Sequence, residues 1–189
     1  MKTVSGTLLA LIAALSVNAV EAATVAYSAV TASSGINAPE YAHDGVFPVE
    51  WTGWTNTTAY WSGTAEYLIY EFDQLYSLTH YDVSLDNNDS YQIQFSLDGV
   101  NWGLTGNSSD VNIGSNDGNV GWGMDTFSAD MGPLFARYAR VMAVGGDNMY
   151  SVGELQFSGV AAVPEPETYA LMLAGLGLVG FAARKRHSV

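Results

Sequence analysis

The sequence contains no cysteine. That excludes a disulfide framework, a thiol nucleophile and any cysteine-ligated zinc or iron–sulfur centre. Basic residues are nearly as scarce. Lys2, Arg137, Arg140, Arg184, Lys185 and Arg186 stand against 19 acidic residues. Between Thr24 and Pro164 only Arg137 and Arg140 remain, facing sixteen carboxylates. No basic patch is there to exchange for phosphate counterions, so this middle segment repels nucleic acid and anionic lipid headgroups. Cations, neutral glycans and basic partners suit such a surface. Histidine occurs only at 43, 80 and 187. A nucleophile, a base and an orienting group cannot be assembled around any of them by sequence, so binding rather than catalysis is expected.

The middle segment also lacks helical periodicity; what it has is alternation. Tyr81 to Leu85 and Tyr91 to Leu97 alternate apolar and polar residues. At a period of two, Tyr91, Ile93, Phe95 and Leu97 fall on a core face, with Gln92, Gln94 and Ser96 outward. Tyr67 to Phe72, Tyr138 to Val144 and Val152 to Phe157 are further strand candidates, and Asp98-Gly99 is a hairpin signal. Several short strands with turn punctuation predict an all-β fold, an antiparallel sandwich or barrel. About 140 residues suffice for a sizeable core.

The ends differ from the middle. Lys2, the apolar run Leu8 to Leu15 and the small residues Ala19, Ala22 and Ala23 have the order of a secretory signal peptide, so residues 1–23 are expected to be removed on export. At the other end Val163, Pro164, Glu165 and Pro166 precede a charge-free stretch from Thr168 to Ala183, and Arg184-Lys185-Arg186 follows. As a helix those 16 residues span about 24 Å, slightly short of a permanent membrane crossing. The basic end would resist translocation and leave the preceding domain outside. The prolines keep the backbone around Glu165 extended and open to a processing enzyme.

Pro-Glu-Pro, short apolar helix and basic end, in that order, resemble the PEP-CTERM sorting signal. The resemblance implies an exosortase-type processing enzyme acting near Pro164-Glu165-Pro166. It further implies passage through the membrane by a short C-terminal helix, a Gram-negative envelope, and association with exopolysaccharide or biofilm matrix. The expected division is 1–23 signal peptide, 24–160 β-domain and 161–189 sorting tail.

The middle segment carries a second resemblance. Tyr67-Leu68-Ile69-Tyr70-Glu71-Phe72 and Tyr91 to Trp102 look like the centre of a discoidin-type domain. Arg137-Tyr138-Ala139-Arg140-Val141 and Ser151 to Phe157 look like its last two strands, and Ala42-His43-Asp44-Gly45 like its early loop. The family is the galactose-binding-like jelly roll of coagulation-factor C-type domains and bacterial carbohydrate-binding modules. It implies an antiparallel β-sandwich and a structural calcium ion. Its ligands would be the Asp44 and Glu154 carboxylates with the carbonyls of Ala42 and Leu155, the hard oxygen donors that calcium takes. The stretch Gly106 to Gly123 departs from the family in being long and loose, and the cysteines of animal members are missing.

Trp51, Trp54, Tyr60 and Trp61 crowd the segment between Asp44 and Tyr67. Rings on a loop stack on sugar faces while nearby polar groups hold hydroxyls; rings can equally fill a sandwich core. The expectation is a carbohydrate-binding module that uses these four residues, with Trp51 and Trp54 foremost and Trp102 in the core. Two alternatives stay open: an adhesion protein contacting other proteins, and a glycan hydrolase built on Glu40, Glu50 or Glu66, which would need two carboxylates facing across a cleft.

Overall fold

The computed structural model describes residues 21–103, 111–114, 123–162 and 166–186. The signal segment 1–20 and Val163, Pro164 and Glu165 lie outside the described residues, as does most of the loose stretch Gly106 to Gly123. Among the described residues there are eight strands: β1 (Ala23–Thr24), β2 (Tyr27–Ala32), β3 (Ala59–Ser62), β4 (Tyr67–Asp86), β5 (Ser90–Ser96), β6 (Val111–Gly114), β7 (Met124–Gly145) and β8 (Met149–Ala161). All pairings are antiparallel. A 3-10 turn spans Pro39–Ala42, and the helix α1 spans Pro166–Arg186.

The expected short strands prove to be pieces of long ones. Tyr67 to Phe72 and Tyr81 to Leu85 belong to a single 20-residue strand, and β7 runs 22 residues. Each changes sheet partway. The first half of β4 pairs with β2 and with the second half of β7; its second half pairs with the first half of β7 and with β8. The ladder slips between Glu71 and Tyr76, where Asp73, Gln74 and Leu75 are unpaired against β7, and again opposite Pro133. Proline has no N–H to give to a ladder, so β7 can bend there. Nothing in the sequence of β4 announces its bend, because no glycine or proline interrupts it.

One layer is therefore β2, β4, β7, β5 and β6; the other is β7, β4 and β8, with β1 and β3 on the far side of β8. Rings from the two layers meet in the core: Phe72 and Phe95 lie 5.6 and 5.7 Å from Phe157, and Tyr91 lies 6.0 Å from Tyr150, all edge to face. Of the sandwich and barrel that alternation left open, this is the sandwich, as the discoidin resemblance implies. Tyr91, Ile93 and Phe95 are fully buried as expected. Leu97 is not, at 53 % exposed, whereas Ser96 is buried. The alternation stops one residue early because the Ser96 hydroxyl accepts hydrogen bonds from the Asp98 and Gly99 amides and turns the chain.

Trp102 is half-buried, with the Arg140 guanidinium 4.5 Å from its ring centroid. Arg137 pairs with Glu71 at 3.3 Å. The described side chains of α1 are exposed. Among the described residues no helix is long and apolar enough to cross a membrane, so the expected membrane-crossing tail is not shown.

Candidate functional site

One end of the sandwich is wrapped by the connection from the 3-10 turn to β3, residues 43–58. Five contacts fix its path. The Gly45 amide donates to Glu154 Oε2 at 2.9 Å. The Pro48 ring sits over Gly153, where an added Cβ would come within 2.4 Å of Cγ. Trp51 N–H donates to the Met124 carbonyl at 2.9 Å, and Met124 N–H to the Thr52 carbonyl at 3.0 Å. The Thr58 hydroxyl donates to the Trp54 carbonyl.

The residues expected to ligate calcium lie at or beside this loop. Glu154 is almost wholly buried. Burial pushes its carboxyl pKa up; the Gly45 amide opposes this and the neighbouring Asp44 carboxylate adds to it. Asp44 is exposed and accepts from its own loop, the Val46 amide at 2.9 Å. The Ala42 carbonyl accepts from the Tyr70 hydroxyl at 3.1 Å, and the Leu155 carbonyl from the Tyr27 hydroxyl at 2.6 Å. Among the described residues no arginine or lysine pairs with Glu154, and no set of three or more acidic, histidine or cysteine side chains has metal-site geometry.

The four aromatic residues separate. Trp61 is 1 % exposed and packs against Tyr91 and Tyr150 at 6.4 and 6.1 Å. It belongs to the core, because alternation along β3 turns Trp61 inward and Tyr60 outward. Tyr60 and Trp54 are half-buried and meet edge to face at 5.6 Å. Trp51 is 52 % exposed, in a left-handed backbone conformation at φ 67°. Such a conformation costs a non-glycine residue about 1–2 kcal/mol, here held by the hydrogen bonds of Trp51 and Thr52 with Met124. Val46 and Val49 on the same loop are also exposed.

Beyond Trp54 the loop reaches a cavity of about 390 Å³ lined by Trp54, Asp86, Asn88, Asp147 and Met149. Its walls come from two turns, β4 to β5 and β7 to β8, that the pairing of long strands brings to the same end. The turns are tied together. Asn88 Nδ2 donates to Asp147 Oδ2 at 3.0 Å, and the Asp147 amide donates to Asp89 Oδ1 at 3.1 Å. Gly146 lies between them at φ 139°, with Asp89 Oδ1 where a Cβ would stand. Burial, then the charges of Asp89 and Asp147, push the Asp86 pKa up to about 7. Burial raises Asp89 to about 6. The adjoining Asn87 side chain is buried with neither of its polar atoms hydrogen-bonded.

Sequence reasoning missed this cavity. The signal was present as two polar turns, Asp86-Asn87-Asn88-Asp89 and Gly145-Gly146-Asp147-Asn148, each following a strand candidate. Nothing in the sequence says that the two lie side by side until β4 and β8 are paired.

His80 gathers Asp130 at 2.7 Å on Nδ1, with Ser128 at 3.1 Å and Asp82 at 3.4 Å on Nε2. The order Ser–His–Asp is that of a nucleophilic triad. The group lies on cross-strand neighbours of β4 and β7, on the face opposite the buried Tyr81 and Val83. The group does not line the Trp54 cavity, and Asp82 competes for the nitrogen that a base would use. Of the carboxylates considered for hydrolysis, Glu66 accepts from the Ser33 hydroxyl and the Gly35 amide; Glu40 and Glu50 are exposed and do not line the Trp54 cavity.

Comparison with solved structures defines the class. The chain superimposes on a fucose-binding module of Streptococcus pneumoniae with a TM-score of 0.52 at 12 % identity, covering 71 % of this chain and 96 % of that one. The CBM32 module of AlyQ, in complex with 4,5-unsaturated mannuronic acid, gives 0.50 at 14 %, covering 71 % and 97 %. A family 89 glycoside hydrolase from Clostridium perfringens gives 0.51 at 18 %, covering 72 % of this chain and 15 % of the enzyme. The β-domain has the discoidin-like sandwich fold of these carbohydrate-binding modules. Residues 162–186 match the PEP-CTERM protein-sorting motif, which points to an exported protein. No curated protein matches the chain.

Proposed function

We propose that the protein is an exported, non-catalytic carbohydrate-binding protein that meets its glycan at the Trp54 cavity. The observation that carries this reading is the composition of that cavity: an aromatic wall beside convergent carboxylate and amide groups, on a sandwich of the carbohydrate-binding-module fold. A ring offers a sugar its apolar face and the polar groups hold hydroxyls. Trp51, exposed at the edge of the same loop, extends the contact. In this reading residues 1–23 direct export, and the tail from 161 is processed near Pro164-Glu165-Pro166 by an exosortase-type enzyme. The apolar helix dwells in the membrane before processing, and the β-domain is delivered to exopolysaccharide at the surface of a Gram-negative envelope or in a biofilm matrix.

Calcium fits the same reading as a structural ion. Asp44 and Glu154 supply two carboxylates, and the carbonyls of Ala42 and Leu155 each keep a second lone pair beside the one given to tyrosine. The ion would tie the 43–58 loop to β8 and offset the buried charge of Glu154.

Binding of the purified full chain to a panel of neutral, acidic and amino-sugar oligosaccharides, with calcium and with chelator, tests both parts. Binding that is lost in Trp54→Ala but kept in the core-neutral Phe135→Ser (Phe135 is exposed) is the expected result. Absence of binding to every sugar would transfer the exposed Val46, Val49 and Trp51 surface to a protein-contact role.

A further inference from the structure

The cavity is rich in acceptors and poor in donors. Asp86, at 4 % exposure, meets no cation and no side-chain donor among the described residues; only the Asn87 amide turns toward its carboxyl. Asn88 spends a side-chain N–H on Asp147 Oδ2, and Met149 gives its amide to Asp147 Oδ1 at 2.8 Å. The two arginines of the domain are committed elsewhere, Arg137 to Glu71 and Arg140 to Gln94 and the Trp102 ring. A neutral sugar would leave the Asp86 charge buried without a counter-charge, and a uronate would set carboxylate against carboxylate. A cation with an apolar flank satisfies all three walls. Its charge meets Asp86 and Asp147, and its flank meets the Trp54 face, which itself attracts cations.

A bare metal ion fits less well. Among the described residues no acidic set has metal-site geometry, and Asp89, the third carboxylate nearby, is occupied by the Asp147 amide and the Tyr91 hydroxyl.

Building on the carbohydrate reading above, we propose that this cavity selects an amino sugar bearing a free ammonium, as in a de-N-acetylated glycan, through Asp86 and Asp147, with Trp54 against the sugar face. The raised proton affinity of Asp86 accords with this, since a site that favours a proton there favours any positive charge placed beside the carboxyl.

The test is calorimetric titration of the full chain with glucosamine oligomers, N-acetylglucosamine oligomers of equal length, neutral hexose oligomers and mannuronate oligomers. Expected is a preference of about tenfold or more for the free amine over its N-acetylated counterpart, and no binding of mannuronate. Asp86→Asn and Asp147→Asn should each erase that preference, with the thermal melt intact or raised in Asp86→Asn; Trp54→Ala should lose all sugar binding. Equal or tighter binding of the acetylated or neutral oligomers, or an undiminished amine preference in both Asn variants, overturns the amine selectivity and leaves the carbohydrate reading standing. Failure of every oligomer to bind overturns both.

Discussion

Among the carboxylates buried at one end of this sandwich, Glu154 and Asp86 are treated differently by the chain. Glu154 lies beneath the 43–58 loop and accepts from the Gly45 amide, so its burial is part of how the loop is held. Asp86 lies a few residues away across the β4–β8 pairing and borders a cavity. Burying an acid without a full set of donors costs stability. At Glu154 that cost is offset by closing a loop. At Asp86 only the Asn87 amide offsets it, as expected where a group is kept for a ligand and not for folding.

The largest effect should come from closing the cavity side. Gly146→Ala would place a Cβ 1.7 Å from Asp89 Oδ1, at φ 139°, a backbone region that L side chains rarely adopt. The β7–β8 turn must then let go of Asp89, at about 3 kcal/mol. Denaturant unfolding should show that loss, and sugar binding should fall with it. A melt equal to the parent's would mean that the turn is not tied as described.

Next in size is the loop side. Glu154→Ala removes the acceptor of the Gly45 amide and should destabilise by about 2 kcal/mol. The parent's melting temperature should drop when calcium is chelated, and the variant's should not respond. If both respond alike, calcium acts somewhere other than Asp44 and Glu154.

How much of this contrast could be read before the fold was known differs between its halves. The loop side was legible. Asp44-Gly45 and Glu154 stand out as an acidic turn and an acid within an apolar strand, and the resemblance joins them although 109 residues apart. The cavity side was not. Its residues sit in two turns whose proximity depends on β4 and β7 each serving both layers, and period-two patterning is silent about where a strand bends. Patterning placed Tyr91, Ile93 and Phe95 correctly because they lie mid-strand. It misplaced Leu97, where a serine–turn contact ends the strand, and it could not tell that Trp61 and Trp54, seven residues apart, part company between core and cavity.

A third effect reverses the usual sign. The Asp86 pKa stands at about 7 against an ordinary value of 3.8, so the folded chain keeps a proton that the unfolded chain has already lost. Folding is favoured by this group at low pH, and that contribution is lost as pH rises from about 4 to about 7. Asp89, raised to about 6, acts in the same direction. Asp86→Asn should therefore stabilise the protein at pH 8 by about 1–2 kcal/mol, a few degrees of melting temperature, and by much less at pH 5. A variant destabilised equally at both values would mean that the carboxyl is a structural acceptor, and the contrast with Glu154 would collapse.

The smallest effect sharpens the comparison by moving to an open surface. His80 also sits among acids, but in partial contact with water, and its pKa is raised above the usual 6.5, first by the hydrogen bond to Asp130, with burial opposing and Asp82 adding. Here the charged form is favoured by folding, so the contribution is fully present below the ordinary histidine pKa and disappears as pH climbs through the raised one. Asp130 is 95 % exposed at its side chain, and solvent screens such a pair strongly. His80→Gln should thus flatten the pH dependence of the melt slightly above pH 6.5 and leave sugar binding untouched, since His80 is remote in the fold from the Trp54 wall. Proton titration of His80 by NMR would show the raised midpoint directly. A midpoint at or below the ordinary value would mean that Asp130 and Asp82 do not hold the ring as drawn. An acidic surface then distinguishes its carboxylates by access to water: exposed ones attract protons to a neighbouring histidine at little gain, and the buried one at Asp86 is left to attract a ligand.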